Sequence, residues 1–575
     1  MSRWCAFLTE HDPAAQVRAA GGDPVSVSGR SAFGLLHDEP GRAAGPFTWG
    51  DLTAIGEVTL FNAAELRRRL GRDAPPPDCA DGLLLLACYA RFGTTGLAAA
   101  DGMFALAISE ATELVLVRDH VGARTLFHAR ARGHWAAATS LRALRRWPAL
   151  DTGLHLPAVR SFLAFAYLPG PETLLRGIHE VLPGRCLRLR PDGSVDEQTF
   201  WEPAEHTEDR PAHEHAQQLR ELLESATARR LPAGEPVAVL LSGGIDSSLV
   251  TALATKLHEH PVRSYSIGFD GTTPNELAYS GLVATHCHTE HRVLTVPGTA
   301  VADRLAHTVS LLDCPVGDPL TVPNLLLAEA AAADGATTIL NGEGGDPVFG
   351  GPKNLPMLIF ELFRDEAAPE ARARAYLDSY RKCHGDLPVL LTPGVLAELS
   401  DAPALTDLLT PYLRPGRMNG LLNQLLHTNL RTKGAHHILT KVERLTAASG
   451  VEGRAPLFDR AVIDYSFRIP ANLKLAGTTE KWILKEAVRD LLPATIVDRP
   501  KSGMRVPVQQ WLTGPLADLG NDLLFGPSAR ARDLFRADTL RAWLRGDGSL
   551  LPRHGGKLWL VLTLELWLRS FEVGP

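Results

Sequence analysis

The amino-acid sequence predicts an α/β protein of two domains, the second with a parallel sheet and a helical extension. Up to about residue 200, short apolar runs broken by Gly and Pro alternate with helical patterns, which is typical of layered sheets and helices. A continuous apolar run at 236–241, followed by a glycine-rich turn and a helical pattern, is typical of a buried parallel strand. After Pro352 the pattern becomes mostly helical.

Composition and charge exclude several classes of protein. The chain has 575 residues, with 59 basic and 65 acidic side chains and a net charge of -6, which argues against a nucleic-acid partner. Its seven cysteines are scattered and do not indicate a disulfide framework. No apolar run approaches the ~18–20 residues that span a membrane, and no signal peptide is visible. We therefore expect a cytoplasmic location without a membrane partner.

The first domain is predicted to combine buried strands with helices. The apolar runs 102–108 and 113–119 are bounded by turn residues, as buried strands usually are. Segments 63–70 and 81–92 show the spacing of apolar residues that is typical of helices. Strands with intervening helices indicate a layered architecture.

A polar segment separates the two predicted domains. Residues 202–211 are rich in charged side chains and contain two prolines, a composition typical of a linker. A helical pattern follows at 212–229. We place the boundary near residue 205, which gives a first domain at 1–205 and a second at 206–575.

A glycine-rich loop, Ser-Gly-Gly-Ile-Asp-Ser-Ser at 242–248, lies between the apolar run and a helical segment. Its glycines permit tight turns, and the N–H groups of the loop and of the next helix form a site for anions. Asp246 would repel a bare phosphate, so its presence calls for a Mg²⁺ ion between them. The loop lacks the lysine of a Walker A motif, and an ordinary strand-to-helix turn is the alternative. The predicted ATP site contains Leu241, Ser242, Gly243, Gly244, Asp246, Ser247 and Ser248.

A second glycine-rich loop, Asn-Gly-Glu-Gly-Gly-Asp at 341–346, follows another apolar segment. Asp346 is a candidate to share Mg²⁺ with Asp246. Glu343 is a candidate general base toward an amine. A surface turn, which Gly and Asp also favour, is the alternative interpretation.

Two charged clusters lie further along the chain. The first is Val-Glu-Gly-Arg-Ala-Pro-Leu-Phe-Asp at 451–459, which contains Glu452. The second is Asp-Arg-Pro-Lys-Ser-Gly at 498–503, where Lys501 is a candidate cation for departing pyrophosphate. Taken singly, such residues are more often solvated or salt-bridged surface groups.

In this order, the four motifs resemble those of the asparagine synthetase family, and the resemblance covers most of the chain. The loop at 242–248 is also similar to the pyrophosphate loop of ATP pyrophosphatases. The resemblance implies an N-terminal αββα sandwich of the N-terminal nucleophile glutaminase type. A doubly wound parallel-sheet ATP-pyrophosphatase domain with a helical C-terminal extension would follow it.

The resemblance also implies a reaction in two steps that uses ATP and Mg²⁺. A carboxylate attacks the α-phosphate of ATP and pyrophosphate leaves; a nitrogen nucleophile then attacks the acyl-adenylate and AMP leaves. Glu343 would deprotonate the amine, and Lys501 would steady the pyrophosphate. The implied catalytic residues are Glu343, Lys501 and Glu452, the implied metal ligands are Asp246 and Asp346, and Ile267 and Gly342 complete the ATP site.

The first domain resembles the glutaminase of the same family but departs from it. Gly56 and Glu57 are similar to its glutamine-holding motif, although Ile55 stands where an Asn is expected, and Asp81 matches a glutamine-binding Asp. An active glutaminase of this type exposes a cysteine at position 2, whereas Ser2 stands here. Because a thiolate is a much better nucleophile than an unactivated hydroxyl, we expect this domain to be structural.

The substrate is expected to be a small-molecule or peptide carboxylate, with ammonia or an amine as nucleophile. Glu343 matches the asparagine synthetase form of its motif, whereas the missing cysteine resembles β-lactam synthetases and lasso-peptide macrocyclases. We favour amide formation in specialised metabolism over asparagine synthesis; a non-catalytic nucleotide-binding protein is a further alternative. The carboxylate pocket is expected to be lined partly by 313–324 and by the stretch 353–440. The sequence leaves open whether the chain forms a homodimer.

Overall fold

The structure of the protein is a computed structural model that describes residues 3–9, 12–36, 45–270, 276–351, 368–380, 382–500, 504–545 and 554–574. The chain divides into two compact units. The first comprises Met1–His155 and Gly170–Glu202, and the second comprises Leu156–Pro169 and Pro203–Pro575. The segment Leu156–Pro169 thus belongs to the second unit, although the sequence pattern placed it in the first domain. Its helix packs on helices that come more than 200 positions later in the sequence.

The first unit contains two antiparallel sheets of six strands each. One sheet has the order β10-β8-β9-β1-β3-β2 and the other β12-β11-β7-β6-β5-β4. The strands are β1 (Arg3–Leu8), β2 (Gly22–Ser28), β3 (Ser31–Leu36), β4 (Phe47–Trp49), β5 (Leu52–Leu60), β6 (Gly102–Glu110), β7 (Glu113–Arg118), β8 (Phe127–Ala131), β9 (His134–Ala138), β10 (Ile178–Glu180), β11 (Arg185–Leu189) and β12 (Val195–Thr199).

Helices cover the outer faces of both sheets. Apolar side chains such as Phe33 and Leu116 fill the space between the sheets, and a second core lies between β5–β6 and the helix Asp81–Phe92. This is the αββα sandwich that the sequence predicted, and the predicted strands and helices of this unit are confirmed. The helices are α1 (Pro13–Ala19), α2 (Ala63–Leu70), α3 (Asp81–Phe92), α4 (Thr94–Ala99) and α5 (Leu141–Arg145).

The second unit is organised around a five-stranded parallel sheet of order β15-β14-β13-β16-β17. The two strands that follow β13 in the chain, β14 and β15, lie on one side of it. The next two, β16 and β17, lie on the other side. In such sheets a crevice for ligands forms where the strand order changes direction, at the carboxyl ends of the two adjacent strands, here β13 and β16. The strands are β13 (Val237–Leu240), β14 (Arg263–Phe269), β15 (Glu290–Val296), β16 (Thr338–Leu340) and β17 (Glu452–Arg454).

The remainder of the second unit is mostly helical, as predicted, apart from a hairpin of β18 (Leu475–Ala476) and β19 (Thr479–Glu480). A π-helix at Leu430–Leu439 connects two α-helices. Within the described ranges, no helix is long and apolar enough to cross a membrane. The α-helices are α6 (Leu156–Phe165), α7 (Ala212–Arg230), α8 (Ile245–Leu257), α9 (Leu277–His286), α10 (Gly298–Leu311), α11 (Thr321–Ala333), α12 (Gly345–Phe349), α13 (Pro369–Tyr380), α14 (Leu387–Leu390), α15 (Pro393–Glu398), α16 (Leu421–Asn429), α17 (Thr440–Ala448), α18 (Arg460–Ser466), α19 (Ala471–Lys474), α20 (Trp482–Ala487), α21 (Ala494–Val497), α22 (Val508–Thr513), α23 (Ala517–Phe525), α24 (Ala537–Arg545) and α25 (His554–Phe571).

Candidate active site

A cleft of about 420 Å³ opens at the carboxyl ends of β13 and β16. Both glycine-rich loops line it, and so do residues of the segments 313–324 and 353–440. Lys501 and Ser2 lie outside the described residues. The predicted site residues that line the cleft are Leu241, Ser242, Gly244, Asp246, Ser247, Ile267, Gly342, Glu343 and Asp346, whereas Gly243, Ser248 and Glu452 do not line it.

The first loop holds its shape through its own hydroxyl groups. The Ser242 N–H donates to Ser247 Oγ at 3.1 Å, and that hydroxyl donates to the Gly244 carbonyl at 3.2 Å. Gly243 adopts φ +80°, and a Cβ there would lie 2.6 Å from the Ser280 backbone nitrogen. A side chain at position 243 would therefore be both strained and blocked. Gly243 gives the loop its turn without facing the cleft.

The second loop packs directly against the first. A Cβ at Gly342 would lie 2.4 Å from the Ser247 backbone nitrogen. At Gly345 it would lie 2.1 Å from Asp246 Oδ1. Only glycine permits this approach, and it brings two loops that are about a hundred residues apart in the sequence into one wall of the cleft.

Asp246 and Asp346 converge on the ammonium group of Lys481. Lys481 Nζ lies 2.5 Å from Asp246 Oδ2 and 2.6 Å from Asp346 Oδ1. The lysine is 1 % exposed. Two carboxylates that already share one cation form a set of hard oxygen donors, so these residues fit the Mg²⁺ ion that the sequence predicted.

Lys481 was not among the predicted site residues. It precedes α20 and lies 235 positions from Asp246 in the sequence. A lysine at the start of a helix has no pattern that distinguishes it from a surface lysine, and only the tertiary fold reveals its partners.

Several charged side chains outside the two loops also line the cleft. Lys441 Nζ donates to Asp318 Oδ2 at 2.7 Å, and His437 Nε2 lies 3.9 Å from the same oxygen. Burial favours a raised pKa for Asp318, but the charge and the hydrogen bond of Lys441 outweigh it and hold the pKa well below its usual range. Burial also lowers the pKa of His437 well below its usual value. Lys433 lines the cleft as well.

Glu343, on the second loop, also lines the cleft. Its backbone N–H donates to Asn341 Oδ1 at 3.1 Å, and Asn341 Nδ2 donates to the Arg454 carbonyl at 3.2 Å. The loop is thereby tied to β17. Glu452 on the same strand instead accepts a hydrogen bond from Arg454 Nε at 2.7 Å and is buried. The structure therefore does not bring Glu452 to the cleft, and we leave it out of the proposed catalytic group.

Arg499 anchors the segment that precedes Lys501 to the first loop. Its guanidinium donates to the Gly243 carbonyl at 3.2 Å, stacks 3.8 Å from the centre of the Tyr279 ring and pairs with Glu276. A second cavity of about 400 Å³ adjoins the cleft here and shares Ile267 with it.

The predicted glutamine-site residues lie within the first unit, on β5 and at the start of α3. Glu57 Oε2 is 3.5 Å from Arg124 Nε, and both side chains are more than 90 % buried. Asp81 Oδ2 accepts a hydrogen bond from the Leu60 N–H at 2.8 Å. A Cβ at Gly56 would lie 2.5 Å from the Ala105 carbonyl oxygen. These residues thus make close contacts inside the unit itself.

Comparisons with known proteins agree with this architecture. Residues 218–569 match the family model described as asparagine synthase, and residues 36–201 match that described as glutamine amidotransferase domain. A putative glutamine-hydrolysing asparagine synthetase of Mycobacterium tuberculosis is 27 % identical, and the match covers 96 % of this chain and 90 % of that protein. Asparagine synthetase 1 of Bacillus subtilis is 23 % identical, with 91 % and 86 % covered. The carboxyethyl-arginine beta-lactam synthase of Streptomyces clavuligerus is 27 % identical, with 81 % and 76 % covered.

Proposed function

We propose, from the premise that the chain belongs to the asparagine synthase family, that it joins a carboxylate to ammonia or an amine through an acyl-adenylate. The family makes the chain an asparagine synthetase-like, ATP-dependent amide ligase. The acyl-adenylate and the choice of nucleophile belong to the proposal. The observation that carries it is the convergence of Asp246 and Asp346 on one cation beside a phosphate-type loop.

In the first step, backbone N–H groups of the loop and of α8 hold the phosphates of ATP. An oxygen of the substrate carboxylate attacks the α-phosphorus, and the bond to pyrophosphate breaks. Lys481 neutralises negative charge on the leaving pyrophosphate, and Lys501 is proposed to assist it. Asp246 and Asp346 would hold Mg²⁺, which neutralises further charge on the phosphates when bound.

In the second step, the nitrogen nucleophile attacks the acyl carbon, and the bond to AMP breaks. An ammonium ion has no lone pair, so it must lose a proton before it can attack. We assign this proton to the Glu343 carboxylate, which lines the same cleft as the loop. The amide forms, AMP leaves with the second proton of the nitrogen on its phosphate, and the first proton remains on Glu343 until solvent removes it.

The nitrogen is proposed to come from ammonia or an amine and not from glutamine hydrolysed by the first unit. Glu57 and Asp81 are engaged by Arg124 and by a backbone N–H of the unit itself. Assaying ammonia release from glutamine tests this point directly. Release that depends on Asp81 would contradict it.

Asparagine synthesis is the second candidate. The match to the putative asparagine synthetase of Mycobacterium tuberculosis favours it, because that match covers nearly the whole of both chains. The similarity to the beta-lactam synthase favours an amide-forming role in specialised metabolism. Turnover of L-aspartate with ammonia at a rate that no other carboxylate approaches would establish the second candidate.

Pyrophosphate release measured with ATP, Mg²⁺ and a panel of carboxylates tests the proposal. Hydroxylamine added in place of ammonia should trap the acyl-adenylate as a hydroxamate. Asp246→Asn should abolish both signals, because it removes a ligand of the phosphate site, whereas Lys256→Met, which alters an exposed lysine of α8, should retain both. Carboxylate-dependent formation of ADP in place of pyrophosphate would contradict the proposal.

A further inference from the structure

Arg499 joins three groups beside the first loop. Its guanidinium donates to the Gly243 carbonyl at 3.2 Å, lies 3.8 Å from the centre of the Tyr279 ring and pairs with the Glu276 carboxylate. A guanidinium carries five N–H donors in one plane, so a single arginine can serve a carbonyl, a carboxylate and a ring face together. This set of contacts is therefore specific to arginine.

The peptide group between Gly243 and Gly244 has little restraint of its own. Neither residue has a Cβ, so rotation of this peptide about the bonds that flank it meets few steric barriers. It is a trans peptide, in which the carbonyl and the N–H point in opposite directions. The bond from Arg499 to the Gly243 carbonyl therefore also determines where the Gly244 N–H points.

The Gly244 N–H is able to donate to a ligand. Gly244 lines the cleft, whereas Arg499 lines the second cavity and not the cleft. The Gly244 nitrogen lies 3.4 Å from Ser242 Oγ, which is long for a hydrogen bond. The N–H thus keeps most of its capacity to donate to an anion, as do the N–H groups at the start of α8. Arg499 reaches the cleft through the loop and not directly.

Glu276 neutralises the charge of Arg499. The two side chains form an ion pair and are only 13 % and 12 % exposed. Opposite charges in contact largely cancel each other at the distance of the cleft. The arginine is therefore suited to hold the peptide in one orientation and not to attract phosphate by its charge.

The main chain at Arg499 is held independently of its side chain. Lys485 Nζ donates to the Arg499 carbonyl at 3.2 Å, and Arg489 pairs with the neighbouring Asp498 at 2.8 Å. Removing the guanidinium should therefore leave this segment in place. A variant of Arg499 can thus report on the contact with Gly243 and not on a general loss of structure.

We propose that Arg499 is a positioning residue for ATP: it holds the peptide 243–244 so that the Gly244 N–H donates to a phosphate oxygen of ATP. It acts through the loop and touches no reacting atom. This inference rests on the proposed function, since it presumes that the loop binds the phosphates of ATP.

Calorimetry on the full chain tests the inference with three probes: ATP with Mg²⁺, pyrophosphate with Mg²⁺, and adenosine. Arg499→Ala should weaken binding of ATP and pyrophosphate about tenfold, because an oriented hydrogen bond is lost, and leave adenosine binding unchanged. Arg499→Lys should weaken it to a similar extent, because an ammonium group cannot serve carbonyl, carboxylate and ring together. Arg292→Ala is the matched control, since Arg292 is an exposed arginine of β15 that also pairs with a carboxylate.

Kinetics separates positioning from a merely structural role. In the pyrophosphate-release assay, Arg499→Ala should raise KM for ATP about tenfold and leave KM for the carboxylate unchanged. A damaged fold would raise both values, and circular dichroism checks that the variant is folded.

Three results would overturn the inference while leaving the proposed function intact. The first is wild-type affinity for ATP and pyrophosphate in Arg499→Ala. The second is wild-type affinity in Arg499→Lys, because charge without orientation would then be sufficient. The third is an equal weakening of adenosine binding, which would assign Arg499 to the nucleoside.

Failure of the proposed function is seen separately. If the wild type binds ATP but forms an amide from no carboxylate, the proposed function fails, and the binding comparison still decides the inference. If the wild type binds neither ATP nor pyrophosphate, both fail.

Discussion

Two regions of the molecule carry acidic residues that the sequence assigned to substrate binding, and they differ in what those residues contact. In the second unit, Asp246 and Asp346 share Lys481 beside a cleft of about 420 Å³. In the first unit, Glu57 lies against buried Arg124, and Asp81 accepts a hydrogen bond from the Leu60 N–H. In sequence, both regions combine glycines with acidic residues. The contacts separate a region whose acidic residues line a cleft from one whose acidic residues contact groups of their own unit.

The largest effect is expected at Lys481. Lys481→Met removes the cation that two carboxylates share and leaves them to repel each other, so the rate of pyrophosphate release should fall about 10³-fold. Steady-state kinetics measures the loss, and circular dichroism checks that the variant is folded. Lys256→Met, which loses a lysine at the surface, is the matched control. Full activity of Lys481→Met would show that the contact of Lys481 with Asp246 and Asp346 is not needed for the reaction.

Glu343→Gln should separate the two chemical steps. Without a base, amide formation should slow by about 10²–10³-fold. Carboxylate-dependent exchange of pyrophosphate into ATP should persist, because the first step needs no proton transfer to this residue. Equal loss of both activities would show that Glu343 acts on ATP or on the structure of the loop.

Gly345→Ala tests the close approach of the two loops. The added methyl would lie 2.1 Å from Asp246 Oδ1, so the carboxylate must move, and turnover should fall about 10²-fold. Gly281→Ala is the control, because its added methyl meets nothing within 4 Å on α9. Normal kinetics in Gly345→Ala would mean that the position of Asp246 is unimportant.

In the first unit, the effect should appear in stability instead of activity. Arg124→Met leaves Glu57 buried without the guanidinium beside it, which should lower the free energy of unfolding by about 3 kcal/mol. Arg91→Met, at an exposed position, should change it by less than about 0.5 kcal/mol. Denaturant titration measures both variants, and ammonia-dependent kcat should match that of the wild type below the unfolding transition. Loss of a glutamine-dependent activity in Arg124→Met would show that this region is catalytic.

The sequence was informative wherever local pattern determines structure. The strand β13, the loop after it and the helix α8 follow from one apolar run and two glycines, and the structure confirms all three. It also places residues of both predicted pocket segments on the cleft. Local periodicity is enough for such elements, because the period of apolar residues directly reflects which face is buried.

Features that depend on distant contacts could not be predicted. β17 has only three residues, too few to show a periodic spacing of apolar side chains. Its Glu452 contacts Arg454 and does not line the cleft. The π-helix carrying Lys433 has no sequence signature distinct from an α-helix. Lys481 meets Asp246 only because the fold brings the start of α20 beside the first loop, 235 positions away in the sequence.

The measurement that tests the central claim most directly follows the oxygen atoms of the carboxylate. A substrate labelled with ¹⁸O in its carboxylate is turned over with ATP and ammonia, and the AMP is examined by mass spectrometry. The account predicts one ¹⁸O atom in the phosphate of AMP, because the carboxylate oxygen that attacks the α-phosphorus leaves with it. Unlabelled AMP, or label in inorganic phosphate together with ADP, would contradict an acyl-adenylate.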